Sequence, residues 1–419
     1  MPKKKKKSCK KPTRKNNEQR ELEEYTQKTK CSDLSELFTF SNLSINVSAD
    51  KEVSESSISI FHDDLLERIL VYLPIASIIR AGIVCKKWRE ITSSKRFLWN
   101  VSQTGQQKPW YISEFYTWYV YDPIIQKWQG RDFLDMMISN MYYCDSSDGL
   151  VCFVHNAEIH VCNPITKEHK KLHEPPGTSL GFSCYPAFIN MSVSRHPPLF
   201  NIWVNRRSHN YIVSALYCEE VADSHGEFSF QVYDSATMKW TTSRPEIMTG
   251  WTSGCKSVIC NGVLYFLIYS LGTGHGPREY GLLAHNFSSD SSSDGTLINS
   301  FIPLPCSVIC GLINLKEKLI MVGAIGRPCH EELNLGFSIW LLKGKDWQEI
   351  SRITHTCFYN SGLLFDSSGA DDLIYIHADH DPRLVVFDMN LKQWKCCQEC
   401  PEDDVVSGFC FQPRLDISP

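Results

Sequence analysis

The chain has 419 residues, 42% hydrophobic and 21% charged, an ordinary balance for a globular protein of two or three folded units. Its formal net charge of −4 hides an asymmetry: residues 1–30 hold twelve Lys or Arg against four Glu, a net of +8, which leaves −12 for the remainder. A mildly acidic body is not built to wrap nucleic acid, and the longest apolar run, residues 263–271, is far short of the roughly 18 residues that a membrane span needs.

Residues 1–15 are basic throughout, with no apolar stretch of the kind a secretory leader carries. Without export, the eighteen cysteines are expected to be reduced thiols, packed as small apolar groups. Residues 1–58 read as a disordered basic tail, because Lys, Ser, Asn and Glu dominate and no apolar period persists. The lysines at 3–7, with Lys10, Lys11, Arg14 and Lys15, fit a nuclear import signal and place the chain in the nucleus and/or cytoplasm.

The pattern changes over residues 59–102. Leu65, Leu66, Ile69, Leu70 and Leu73 follow helical spacing on one face, and Asp64 with Glu67 predicts a capping box. Pro74 stops that helix or starts the next. Ile78, Ala81, Cys85 and Trp88 form a second apolar row, with Arg80, Lys86, Lys87 and Arg89 among them, and Phe97, Leu98 and Trp99 form a third group. A helical unit of about 40 residues is at the lower limit for folding alone, and apolar residues on more than one face call for a partner.

Over residues 103–419 the helical period gives way to short strand-like runs separated by turn signals. A weak repeat places an aromatic or apolar residue before Asp or Asn, then a short turn, then Trp. It occurs at 121–128, 233–240 and 387–394, with degenerate copies at 162–167 and 340–347. A second element puts Gly before a strand, as in Asp148-Gly149-Leu150 and Asn261-Gly262-Val263. Both predict hairpins whose turns use Asp, Asn, Pro or Gly and whose outer strand is anchored by Trp. Five copies, with residues 300–305 filling the gap between Trp240 and Trp347, predict a mainly β body of six propeller blades, a closure that removes exposed sheet edges.

Asp63-Asp64-Leu65-Leu66-Glu67-Arg68-Ile69-Leu70, with Leu73-Pro74 and Val84-Cys85-Lys86-Lys87-Trp88, resembles the F-box, and the later repeats are similar to the degenerate kelch repeats of plant F-box/kelch proteins. Phe61-His62 stands where most F-boxes have Leu-Pro, and the strict double glycine of kelch repeats is missing. The resemblance implies a non-catalytic subunit whose helices dock on a Skp-type adaptor, and through it on cullin and RING subunits, while the propeller holds a target protein for ubiquitination. It assigns adaptor binding to Leu65, Leu66, Ile69, Leu70, Leu73, Pro74, Ile78, Val84, Cys85 and Trp88.

For the target, the irregular stretches at 194–209 and 271–279 suggest a basic, aromatic patch of Trp203, Arg206, Arg207, His209, Tyr211 and Arg278, suited to an acidic or phosphorylated segment. No cofactor or metal is expected. His377-Ala378-Asp379-His380-Asp381 would bring only three ligand types to one strand face, and Cys396-Cys397-x-x-Cys400 lacks a second pair at zinc spacing. Two other readings are a kelch-type propeller enzyme with a copper–tyrosyl radical, for which no marking spacing of Tyr, His and Cys is visible, and an F-box scaffold that does not degrade its partner.

Overall fold

The computed structural model describes residues 62–105, 107–114, 119–130, 142–155, 158–173, 175, 198–221, 225–271, 279–287, 300–306, 310–325, 336–354, 365–378, 381–401 and 407–419. The basic tail lies outside them. Four helices come first: α1 (Asp63–Leu70), α2 (Ile75–Val84), α3 (Lys86–Thr92) and α4 (Lys95–Gln103). Pro74 is the N-cap of α2, with φ −57° and ψ 146°. The apolar row from Ile78 to Trp88 is not one helix. Cys85 turns extended, at φ −158° and ψ 168°, and its Sγ accepts from the Trp88 amide to start α3. The predicted capping box is also absent. Helix α1 begins at Asp63 behind His62, which makes no side-chain cap, and Asp64 and Glu67 instead accept from Arg96 on α4.

The rest of the described chain is β. Blade 1 is β1 (Trp110–Glu114), β2 (Tyr119–Asp122) and β3 (Lys127–Gln129), completed by β25 (Ser407–Phe411). Blade 2 is β4 (Tyr142–Ser147), β5 (Leu150–His155), β6 (Glu158–Asn163) and β7 (Glu168–Lys171). Blade 3 is β8 (Leu199–Val204), β9 (Tyr211–Val221), β10 (His225–Asp234) and β11 (Lys239–Thr242), with β12 (Glu246–Thr249) on the free half of β10. Blade 4 is β13 (Trp251–Cys260), β14 (Val263–Ser270), β15 (Tyr280–Asn286) and β16 (Ile302–Pro303). Blade 5 is β17 (Cys310–Leu315), β18 (Lys318–Ile325), β19 (Gly336–Lys343) and β20 (Asp346–Ile353). Blade 6 is β21 (Phe365–Ala370), β22 (Leu373–Ala378), β23 (Leu384–Asp388) and β24 (Gln393–Cys396). The six blades bear out the predicted count, and the segment at 300–305 supplies the outer strand of blade 4.

The sequence repeat is the hairpin between the third and outer strands. Its Asp or Asn makes an Asx turn: Asp122 accepts from the Ile124 amide, Asn163 from Ile165, Asp234 from Ala236 and Asp388 from Asn390, each at 2.8–2.9 Å. The residue before the outer strand then takes positive φ, as Gln126, Lys167, Met238 and Lys392 do. The Trp that follows joins its blade to the preceding one. The Nε1 of Trp240 donates to His173 O (2.8 Å), that of Trp347 to Pro303 O (3.0 Å), that of Trp394 to Ser351 Oγ (2.9 Å) and that of Trp128 to Gln398 O (2.7 Å). Blade 2 has His169 at this position, stacked on His160.

The cysteines depart from expectation at one residue. Nine described cysteines, Cys397 and Cys400 among them, are thiols outside any disulfide, but Cys396 is disulfide-bonded.

The ring closes by pairing the last strand with the first. Strand β25 runs antiparallel to β1, with Trp110 opposite Phe411 and Ser113 opposite Gly408. The match needs a glycine at 408, where a Cβ would come within 2.4 Å of Tyr111 Oη and 2.6 Å of Ile112 O. Gly408→Ala is expected to lower unfolding free energy by at least about 1–3 kcal/mol. Gly130→Ala, with nothing within 4 Å, should change it by less than about 0.5 kcal/mol, both read by urea denaturation.

Candidate functional site

The helices present two kinds of apolar surface. Leu66, Leu70, Val71, Ile75, Ile78, Ala81, Phe97 and Val101 are buried in one core with Trp110, Ile112, Val151, Phe153, Phe409 and Phe411 of blades 1 and 2. Gln107 reinforces the junction: its Oε1 accepts from the Ile75 amide (3.1 Å) and its Nε2 donates to Leu73 O (3.0 Å). On α4, Trp99 stacks on His209 of the propeller, with ring centroids 6.1 Å apart. The opposite surface is open to solvent. Leu65, Ile69 and Tyr72 lie 47–62% exposed along α1 and just past its end, and Ile79, Ile83 and Val84 are 37–58% exposed on α2.

This division corrects the expected contact set. Leu66, Leu70 and Ile78 are buried in the core that the helices share with blades 1 and 2, and Leu73 and Trp88 pack half-buried against that core. Pro74 and Cys85 are helix caps. Of the residues singled out, Leu65, Ile69 and Val84 are exposed. Tyr72, Ile79 and Ile83 join them, and their signal was present in the sequence as the i, i+4, i+7 spacing of 65, 69 and 72 and the i, i+4 spacing of 79 and 83.

The propeller offers a second site. The inner strands β25, β4, β8, β13, β17 and β21 surround a cavity of about 480 Å³. Their side chains link the blades: Asp145 accepts from the Ile202 amide (2.9 Å) and Asn201 donates to Ser257 Oγ (2.7 Å) between neighbouring blades, and Lys256 Nζ of blade 4 meets Asp366 of blade 6 at 2.6 Å. Burial pushes the Asp145 carboxyl up to about 6, although the Ile202 and Ser146 amides and Lys256 pull it down.

One mouth of the cavity is plugged. Arg206, in the turn between β8 and β9, donates to Asp148 (2.7 Å), Asp371 (3.3 Å) and Gln412 (3.2 Å), and so ties together blades 3, 2, 6 and 1. Burial works against charge on Arg206, but Asp148 and Asp371 outweigh it and its pKa is raised. Arg414 adds a pair with Asp416 (2.6 Å) and approaches Asp148 at 3.5 Å.

The proposed basic, aromatic patch is therefore not what the fold assembles. Arg206 is neutralised by two carboxylates that the sequence places far from it. Tyr211 is 2% exposed, within the core of blades 2 and 3. Trp203 is half-buried and donates Nε1 to Glu317 (2.9 Å), and His209 lies against Trp99. Arg207 alone of the described set is an exposed cation without such a role, and Arg278 lies outside the described residues. His377 and Asp381 are also engaged: His377 Nε2 sits 2.7 Å from Asp381 O, and Asp381 makes a bidentate pair with Arg383.

Removing the plug should be felt as stability. Arg206→Ala leaves Asp148, with a side chain only 7% exposed, short of its nearest cation, and should cost about 1–3 kcal/mol in urea denaturation, less than a fully buried pair because Arg414 remains. Arg207→Ala should stay within about 0.5 kcal/mol.

Comparison with known proteins agrees with both halves of this architecture. Residues 63–101 match the F-box-like family, and residues 131–412 match the β-propeller of the family described as F-box protein At3g26010-like. The chain is 45% identical to the F-box/kelch-repeat protein At3g61590 of Arabidopsis thaliana, covering 86% of this chain and 90% of that one. It is 32% identical to F-box only protein 13 of the same plant, over 87% of this chain and 86% of that one, and 24% identical to F-box only protein 6, over 91% and 75%. A short helical unit fused to a closed six-bladed ring, matched on both parts by the same kind of protein, identifies the chain as a member of the F-box family that carries a C-terminal β-propeller.

Proposed function

We propose that this protein is the substrate-recognition subunit of a Skp–cullin–F-box ubiquitin ligase, docking on a Skp-type adaptor through its helices and presenting a target protein on its propeller. The observation that carries the reading is the exposed apolar surface of Leu65, Ile69, Tyr72, Ile79, Ile83 and Val84, on helices whose opposite side is packed into the propeller. Solvent-exposed aliphatic groups in two adjacent helices are unfavourable for an isolated chain and favourable once covered, at about 25 cal/mol per Å² of apolar area removed from water. The basic residues Arg68, Arg80, Lys86 and Arg89 are exposed on the same helices and suit an acidic partner.

In this reading the chain catalyses nothing itself, works in the nucleus and/or cytoplasm, and reaches cullin and RING subunits only through the adaptor. We also read its likeness over residues 61–419 as extending to the plant protein called Hawaiian Skirt, on Phe301-Ile302-Pro303-Leu304-Pro305-Cys306 and Gly408-Phe409-Cys410-Phe411.

The test separates contact from core. Ile69→Asp with Val84→Asp places two charges on the exposed surface and should reduce co-precipitation of a Skp-type adaptor by about tenfold or more, while the unfolding midpoint stays near that of the parent. Leu70→Ala, at a fully buried position, should instead cost about 2–5 kcal/mol of stability. Full adaptor binding by the folded Ile69/Val84 variant would refute the docking surface.

A further inference from the structure

Blade 2 departs from the arrangement that joins most of the other blades. In blades 1, 3, 5 and 6 an indole on the outer strand donates to the preceding blade. The same register position in blade 2 is His169, opposite Cys162 as Trp240 is opposite Tyr233. Its Nε2 lies 2.8 Å from Nδ1 of His160, on the neighbouring strand of the same blade. Phe153, His160 and His169 form one stack across β5, β6 and β7, with successive ring centroids 5.2 and 4.9 Å apart. Phe153 belongs to the core that the helices share with blades 1 and 2. An imidazole pair therefore stands at the seam that seats the helices.

A hydrogen bond between two ring nitrogens needs a proton on one and a lone pair on the other, which two neutral imidazoles supply. A further proton is poorly accommodated. His160 is 2% exposed, and its other nitrogen, Nε2, has no hydrogen-bond partner. A carboxylate oxygen, Oε2 of Glu158, is 3.7 Å from it, and the same carboxylate already holds Lys171. The charged and titratable groups that act on His160 are His169, Glu158, His155 and Lys171, all on blade 2, and of these Glu158 alone favours the charged ring. The helices and blade 1 bring apolar side chains to the core that holds Phe153, with Phe97, Val101, Ile112 and Val120 among them. A cation formed here is costly, because it is buried and finds no free acceptor.

We propose that the His160–His169 pair is an acid-sensitive joint, whose protonation loosens the seam between blades 1 and 2 and unseats the helices before the far blades open. Burial lowers the basicity of both rings, that of His160 to about 4, where charge on His169 adds to the effect. An unfolded histidine takes up its proton near pH 6.5 by general expectation. The stabilisation is therefore complete above about that pH and is lost as pH falls toward 4. His285, stacked on Phe230, is lowered in the same way, while Asp145 is shifted upward and gains stability on acidification. Only the difference between parent and variant isolates the pair. The inference does not depend on what the helices bind.

Three measurements on the full chain test it. NMR titration of the folded parent should find the His160 ring, assigned through its contact with Phe153, still neutral at pH 5.5; this arm needs no variant to fold. Urea denaturation at pH 7 and pH 5 should show the parent's unfolding equilibrium constant rising about tenfold more than that of His160→Phe, which keeps the stack, or of His160→Gln, which keeps a hydrogen-bonding group. At pH 5, amides of α1, α2 and β5–β7 should exchange at least about fivefold faster in the parent than in His160→Phe, while those of β17–β20 exchange alike. A His160 ring that charges at or above pH 6.5 in the folded parent, equal pH dependence in parent and variants, or faster exchange spread evenly over all six blades would overturn the proposal.

Discussion

The architecture depends on one backbone pairing. Strand β25 arrives from the far end of the chain and completes blade 1 beside β1, turning six sheets into a closed ring. Without it blade 1 would present a bare inner edge, and an unpaired edge is a template for association with other chains. Closure through residues some 300 positions apart carries a large loop-closure entropy, so it must be supported by packing. The support is visible in Phe411 and Tyr111, both essentially inaccessible to solvent, and in Tyr375 Oη, which donates to Pro109 O.

The same place anchors the helices. Phe409 and Phe411 on β25 and Trp110 and Ile112 on β1 belong to the core that buries Leu70, Ile75, Ile78 and Phe97. Ring closure and attachment of the F-box are thus one packing event. A helical unit too small to form its own core borrows one from the propeller and leaves its remaining apolar residues outward. The group of Arg206, Asp148, Asp371 and Gln412 adds a polar tie at one end of the ring, joining blades 1, 2, 3 and 6.

Much of this was legible because local chemistry repeats. Asp or Asn followed by a turn and then Trp is an Asx-turned hairpin with an indole that latches the preceding blade, and each part of that reading depends on residues within eight positions of one another. What the sequence hid was non-local. Asp64 and Glu67 looked like a capping box because their spacing is right, yet Arg96 and Asn100, some 30 residues on, take their oxygens. Arg206 looked like a free cation because Asp148 and Asp371 are distant in sequence. Leu66 and Ile69 looked equivalent on a helical wheel, but only the core that the helices share with blades 1 and 2 makes one buried and the other surface. Tyr211 was misplaced for the same reason: an aromatic beside a turn reads as exposed until the neighbouring blade covers it.

Helices and closing strands sharing one core are expected to open as one cooperative unit. Native-state amide hydrogen exchange on the full chain measures this directly, because it assigns an opening free energy to each segment. Amides of α1, α2 and α4 should open with the same free energy, and the same denaturant dependence, as those of β1 and β25. Helices that exchange at a much lower free energy than β1 and β25, as a separately opening unit, would contradict it.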